Sequence, residues 1–225
     1  MDAIVIRSNL IEYKKALEIQ KIIHNLRKSD VLPDTLWLLE HEPVITLGRS
    51  GKIENLLVPE DYLKKIGINI YYVERGGDIT YHGPGQIIGY VFFKIDGLDK
   101  VRDFVGKIET AIITALKKIN INAKTIEKHR GVWVNQNKIC AIGVAIKDWV
   151  SFHGFALYLN PIMEHFNLIV PCGIMDKGIT SVYKETSIDN RKLLEELLIL
   201  GFQEVFNISF REEKLEEILK MEVKV

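Results

Sequence analysis

Three β-type runs, residues 131–134, 138–146 and 151–160, follow one another with only short links between them. No other feature narrows the possible folds as far. Strands joined by such short links pair antiparallel, because a parallel pair needs a crossover of a dozen or more residues. Asn135-Gln136-Asn137 reads as the hairpin turn between the first two. Helical patterns flank these runs. Residues 99–119 place Val101, Phe104, Val105, Ile108, Ala111, Ile112, Ala115, Leu116 and Ile119 at helical spacing. Residues 10–29, 60–65, 188–206 and 211–221 also read as helices. Further strands are expected at residues 3–7, 35–40, 44–47, 68–74, 86–94 and 207–210. Pro43 cannot donate to a ladder and separates two of them. The nearly continuous apolar character of 86–94 marks a strand buried on both faces. Helices and short-linked strands interleaved in this way predict an α+β fold, a mixed and largely antiparallel sheet flanked by helices, over a regular βαβ array. The whole chain, 1–225, reads as a single domain, with residues from about 187 as a C-terminal helical extension.

The 30 basic side chains are balanced by 30 acidic ones, which lacks the basic excess of a nucleic-acid binder. Two cysteines, Cys140 and Cys172, make no disulfide framework and suit a reducing compartment. Residues 1–7 lack the basic start and apolar run of a signal peptide, and no apolar stretch reaches the roughly 18 residues of a membrane span. The expectation is a cytoplasmic protein with no membrane association. The histidines and cysteines show no paired metal-ligand spacing, so neither a metal nor another cofactor is expected.

Chemistry-bearing residues gather in four stretches. Arg75-Gly76-Gly77-Asp78-Ile79-Thr80-Tyr81-His82-Gly83-Pro84-Gly85-Gln86 concentrates glycine with arginine and histidine. A glycine-rich segment is as readily a tight loop as a site, and the charged and imidazole groups inside this one favour a site. It matches neither the phosphate-loop nor the dinucleotide-binding pattern. Pro171-Cys172-Gly173-Ile174 holds a cysteine between a stiff residue and a side-chain-free one, although a free cysteine is more often simply buried. Lys138 opens the apolar run Ile139-Cys140-Ala141-Ile142-Gly143-Val144, and a lysine there usually points to solvent. Phe152-His153-Gly154-Phe155-Ala156-Leu157 could line a narrow apolar groove or pack a core strand.

Taken in order, the Arg-Gly-Gly-Asp-x-Thr-Tyr-His-Gly-Pro-Gly-Gln stretch, Gly131-Val132-Trp133-Val134, the Lys138 block, His153-Gly154-Phe155-Ala156-Leu157 and Pro171-Cys172-Gly173-Ile174 with Thr180-Ser181 resemble the octanoyl-(acyl carrier protein):protein N-octanoyltransferases. The resemblance spans residues 39–182. It implies the fold of the biotin and lipoate protein ligases. It also implies an ATP-independent enzyme that moves octanoyl from octanoyl-acyl carrier protein to a lysine of apo-lipoyl domains, those of 2-oxoacid dehydrogenases and of the glycine cleavage H protein. By the same resemblance Cys172 is the nucleophile and Lys138 its partner. The acyl group is then held by Arg75, Gly76, Gly77, Asp78, Ile79, Thr80, Tyr81 and His82, with Ala141, Ile142, Gly143, Gly154, Phe155 and Ala156. Cys140 stands where the family pattern leads one to expect alanine.

The chemistry is coherent with that implication. An ammonium stabilises a thiolate, and a partly desolvated lysine accepts the thiol proton. Backbone N–H groups beside Cys172, with His82, are the expected oxyanion donors. Each buried CH₂ contributes about 0.8 kcal/mol, so two missing carbons cost roughly tenfold, and bulk at Gly77 or Gly143 is expected to shorten the preferred chain. Three alternatives make different demands: a ligase of the same fold would need ATP, a non-catalytic acyl-binding module would need no Cys–Lys pair, and a thioesterase would deliver the acyl group to water.

Overall fold

The computed structural model describes residues 2–170 and 177–222. Its centre is a mixed sheet of nine strands among the described residues. The strands are β1 (Asp2–Ile11), β2 (Thr35–His41), β6 (Gln86–Phe92), β7 (Lys124–Ile126), β8 (His129–Val134), β9 (Asn137–Lys147), β10 (Val150–Tyr158), β11 (Gly178–Ile179) and β12 (Ser209–Glu213). The order is β12-β1-β2-β6-β10-β9-β8-β7, with β11 on β9. The short-linked run β8-β9-β10 is antiparallel, as is β2-β6-β10, whereas β1 pairs parallel with both β2 and β12. A smaller sheet, β4-β3-β5, consists of β3 (Val44–Leu47), β4 (Asn69–Tyr72) and β5 (Ile79–His82).

Alternation along the strands divides the core in two. On one face Leu36, Leu38, Ile87, Val91, Phe155 and Leu157 pack beneath α3 (Val101–Lys117) and α5 (Arg191–Phe206). On the other Trp37, Leu39, Ile88, Tyr90, Phe92 and Ala156 meet α1 (Tyr13–Lys28), α6 (Leu215–Glu222) and the small sheet. β2 and β6 are buried on both faces, so they read as continuous apolar runs. The apolar stripe of α3 is the predicted one, with Phe104, Ile108, Ala111, Ile112, Ala115 and Leu116 buried. α5 lies directly on α3. A Cβ at Gly201 would stand 2.2 Å from the Ala111 carbonyl oxygen, so only glycine permits this crossing.

Several boundaries move, each for a local reason. α1 begins at Tyr13 because the Glu12 carboxylate accepts from the N–H groups of Lys14 and Lys15, and residues up to Ile11 extend β1 instead. Asn190 caps α5 in the same way through Leu193 N–H. α2 (Glu60–Lys65) occupies the expected residues. α4 (Val182–Thr186), capped by Ser181, and the three-residue β7 were not anticipated. Neither is long enough to show a period.

Candidate functional site

The site is a slot on the α1 face of the large sheet, floored by β9, β10 and β6 and roofed by β5 and the loop before it. Strand register sets out its floor. One row runs Ile88–Ala156–Ala141 and the next Tyr90–Gly154–Gly143. His153 lies one residue beyond, opposite Val144. The cavity holds about 50 Å³. Ile142 and Phe155 border it, but their side chains belong to the opposite core, where the Phe155 ring lies 5.7 Å from that of Phe202. They can meet the slot only through main chain.

The roof comes from the glycine-rich stretch, part of which is a strand. β5 pairs antiparallel with β3, and its alternation buries Ile79 and Tyr81 while turning Thr80 and His82 to the slot. Arg75 is buried and clamps the loop to β3. Its Nε and Nη2 donate to the Thr46 hydroxyl and carbonyl, and its Nη1 to the Gly76 carbonyl. Gly76 N–H donates to the Val144 carbonyl and so fastens roof to floor. Asp78 accepts from the N–H groups of Lys52 and Ile79 and from the Asn55 amide, which ties in residues 52–55. Tyr81 O–H meets His165 Nδ1 at 2.7 Å on the core side. Of the residues predicted to hold an acyl group, Arg75, Gly77, Asp78, Thr80, His82, Ala141, Ile142, Gly143, Gly154, Phe155 and Ala156 border this one cavity. Gly76, Ile79 and Tyr81 support it from behind.

Gly143 serves close approach and Gly77 a left-handed turn. A Cβ at Gly143 would lie 2.7 Å from the Gly76 carbonyl oxygen, and Gly77 has φ 87°. Bulk at either would displace the roof before it filled the slot. Ala141 and Ala156, side by side on the floor, are where added methyl groups shorten the cavity directly.

At the far end stand Tyr13, His41, His82, Tyr90 and His153. No motif pointed to Tyr13 or Tyr90, which come from the start of α1 and from a core strand. His41 Nδ1–H donates to the Ile11 carbonyl at 2.8 Å, and its Nε2 accepts from Tyr90 O–H at 2.6 Å. Burial pushes its pKa down to about 4. His153 is pushed down to about 3 by burial and by the Arg75 charge. His82 is held well below the ordinary range by burial and then by His41 and Arg75. All three rings are neutral near pH 7. The His82 ring lies among those of Tyr13 and His41.

Lys138 owes its position to a β-bulge. β8 and β9 pair as Trp133↔Lys138 and then Val132↔Cys140, so Ile139 is an extra residue. Ile139 and Cys140 consequently both enter the α3-side core. Regular alternation would put Lys138 on that side as well. Instead it shares a face with Trp133, the face of Ala141 and the slot. Its side chain is 4% exposed, and Nζ stands 4.8 Å from the centre of the Trp133 ring. A Cβ at Gly131 would lie 3.4 Å from the lysine Cε, so that glycine leaves room for the stem. Across β9, Ile179 of β11 pairs with Lys138, and Thr180 N–H donates to its carbonyl. Cys172 lies outside the described residues.

Cys140 is fully buried on the opposite face, and burial pushes its thiol far above the ordinary range. Iodoacetamide should therefore leave Cys140 unmodified in the native protein and label it only in denaturant. Peptide mapping that finds native Cys140 alkylated at a rate comparable with a free thiol would contradict this.

Among the described residues no helix is long and apolar enough to cross a membrane. The family described as the lipoyl protein ligase A/B catalytic domain matches residues 12–211. The octanoyltransferase of Dictyoglomus thermophilum is 51% identical over 177 residues, covering 79% of this chain and 75% of that protein. The octanoyltransferase of Caldicellulosiruptor saccharolyticus is 43% identical over 223 residues, covering 95% and 94%. Two solved structures share the fold at low identity. Lipoate-protein ligase A bound with ATP has a TM-score of 0.80 at 16% identity, covering 98% of this chain and 94% of that one. A biotin protein ligase from Aquifex aeolicus has a TM-score of 0.53 at 12% identity, covering 92% and 70%. By relatives aligned along almost its whole length, the chain belongs to the octanoyltransferase family, within the lipoyl protein ligase A/B catalytic-domain family.

Proposed function

We propose that the chain carries octanoyl from octanoyl-acyl carrier protein to a lysine of an apo-lipoyl domain through a thioester on Cys172, with Lys138 moving the protons. The observation that carries this reading is the bulge at Ile139, which brings a buried lysine onto the face of a narrow, glycine- and alanine-floored slot. Ile179, seven residues after Cys172 in the sequence, pairs with that lysine.

In the first half-reaction the Cys172 thiol gives its proton to the Lys138 amine and attacks the carrier thioester. The C–S bond to the carrier breaks, and the carrier thiolate takes the proton back. One thioester replaces another, so the step is nearly balanced and needs no nucleotide. In the second half the acceptor lysine amine attacks the acyl-Cys172 carbonyl. Cys172 leaves as the thiolate, and Lys138 accepts the amine proton. An amide is more stable than a thioester, which drives the transfer forward. The octanoyl chain lies over Ala141 and Ala156 towards Gly143 and Gly154. Its apolar burial contributes about 0.8 kcal/mol per CH₂.

The test is intact mass after incubation with octanoyl-acyl carrier protein in the absence of ATP. Wild type should gain a hydroxylamine-labile octanoyl group that an apo-lipoyl domain discharges, and Cys172→Ser should gain none. An adduct that requires ATP, or one that persists in Cys172→Ser, would overturn the thioester route.

A further inference from the structure

We propose that His153 is the end wall of the acyl slot and sets the length of the chain the enzyme accepts, an inference that rests on the slot being the octanoyl site. His153 borders the slot, and it also borders a second cavity of about 240 Å³ lined by Leu17, Gln20, His24, Glu74 and Phe152. It is the side chain common to both linings, so its imidazole forms the partition between them.

Two costs meet at this residue. Its φ is 56°, a left-handed conformation that glycine takes freely and histidine rarely does. It is 2% exposed, and its Nε2 is buried with no hydrogen-bond partner among the described residues. A Glu74 carboxylate oxygen stands 4.0 Å from Nε2. The Gln20 side chain meets the residue through main chain, His153 N–H donating to Gln20 Oε1, and that bond does not require an imidazole. The side chain therefore contributes volume at this point, its ring tilted against that of Phe152 with centroids 4.8 Å apart, rather than polar stabilisation. Backbone strain at such a position points to function.

Distances along the sheet agree. At about 3.3 Å per strand residue, and allowing for the bulge, the Gly143–Gly154 row lies roughly 13 Å from Lys138 and the His153 level roughly 16 Å from it. An octanoyl chain with C–C bonds of about 1.5 Å, zigzagging from a carbonyl near Lys138, reaches about 9 Å, plus its terminal methyl radius. It ends near Tyr90 and Gly154, just short of His153. A chain two to four carbons longer would meet the imidazole. With the imidazole gone it would pass into the second cavity, between Leu17 and Phe152.

The experiment measures initial rates of Cys172 acylation by intact mass, with hexanoyl, octanoyl, decanoyl and dodecanoyl groups on acyl carrier protein. It compares wild type, His153→Gly, His153→Asn and Ala156→Val. Glycine suits the backbone at 153 without strain. Asparagine also tolerates positive φ, is shorter than histidine, and keeps the test alive should the glycine variant fold poorly. His153→Gly should raise the dodecanoyl-to-octanoyl rate ratio at least tenfold, with His153→Asn intermediate. Ala156→Val, in the floor of the slot, should lower the octanoyl-to-hexanoyl ratio about tenfold. If both His153 variants keep the wild-type ratio while Ala156→Val shifts it, His153 is not the wall. If Ala156→Val also changes nothing, the slot is not the acyl site, and the reading on which this inference rests fails with it.

Discussion

Lys138→Met will slow acylation of Cys172 by about a thousandfold, in the range general acid–base catalysis supplies, and Lys138→Arg will be no better. The two substitutions separate charge from proton transfer. Methionine keeps an unbranched apolar stem against Trp133 and loses both functions. Arginine keeps a positive charge near the same ring but does not give up its proton in a protein. If Lys138 served only to hold a nearby thiolate electrostatically, Lys138→Arg would retain most of the activity. Because the proposed cycle requires the amine to accept and return a proton in each half, both variants should fail. Single-turnover acylation followed by intact mass reads the rate directly, and circular dichroism checks that the fold is kept. More than a tenth of wild-type rate in Lys138→Arg would reduce Lys138 to an electrostatic role and leave the proton transfer to another group.

The position of this lysine shows where the sequence stops speaking. In a regular strand Lys138, Cys140 and Ile142 would share a face, and Cys140 and Ile142 do point into the α3-side core. Nothing in residues 137–147 announces that Ile139 is an extra residue, because the bulge is defined by what β8 places opposite it. The register against β8, and not the pattern of β9 itself, decides which side of the sheet the amine reaches. β5 was hidden for a different reason. Four residues between glycine-rich flanks are too few to display alternation, and their pairing with β3 depends on the intervening α2 and β4. By contrast, α2, α3 and the hairpin β8-β9 lie where their periods and turn residues placed them, since each is specified by local pattern. The cavity-lining set was legible through ordered motifs, most of whose residues border one cavity. The end wall was not, because a lone histidine such as His153 reads from sequence as a packed structural residue, and Tyr13 and Tyr90 carry no motif at all.

The cluster that closes the slot should also make the fold sensitive to mild acid. His41 and His153 have folded-state pKa values pushed down to about 4 and about 3, chiefly by burial, and His82 shifts in the same direction. In the unfolded chain each takes up its proton near pH 6.5. Between those values the unfolded state binds more protons, so stability is fully present above about pH 6.5 and is lost as the pH falls towards the folded values. From pH 7 to pH 5 each of the first two should cost roughly 2 kcal/mol, a large share of an ordinary domain's net stability of about 5–15 kcal/mol. Glu195, raised mainly by burial, opposes the trend by protonating earlier in the fold than out of it. Urea unfolding at the two pH values measures the loss. His41→Gln, which keeps one donor and one acceptor for the Ile11 carbonyl and Tyr90 O–H but does not titrate, should lower stability at pH 7 and reduce the pH 7-to-5 difference by roughly 2 kcal/mol. An unchanged difference in that variant would mean that His41 is no more protonated in the unfolded chain than in the folded one at pH 5, and that its burial does not hold it neutral.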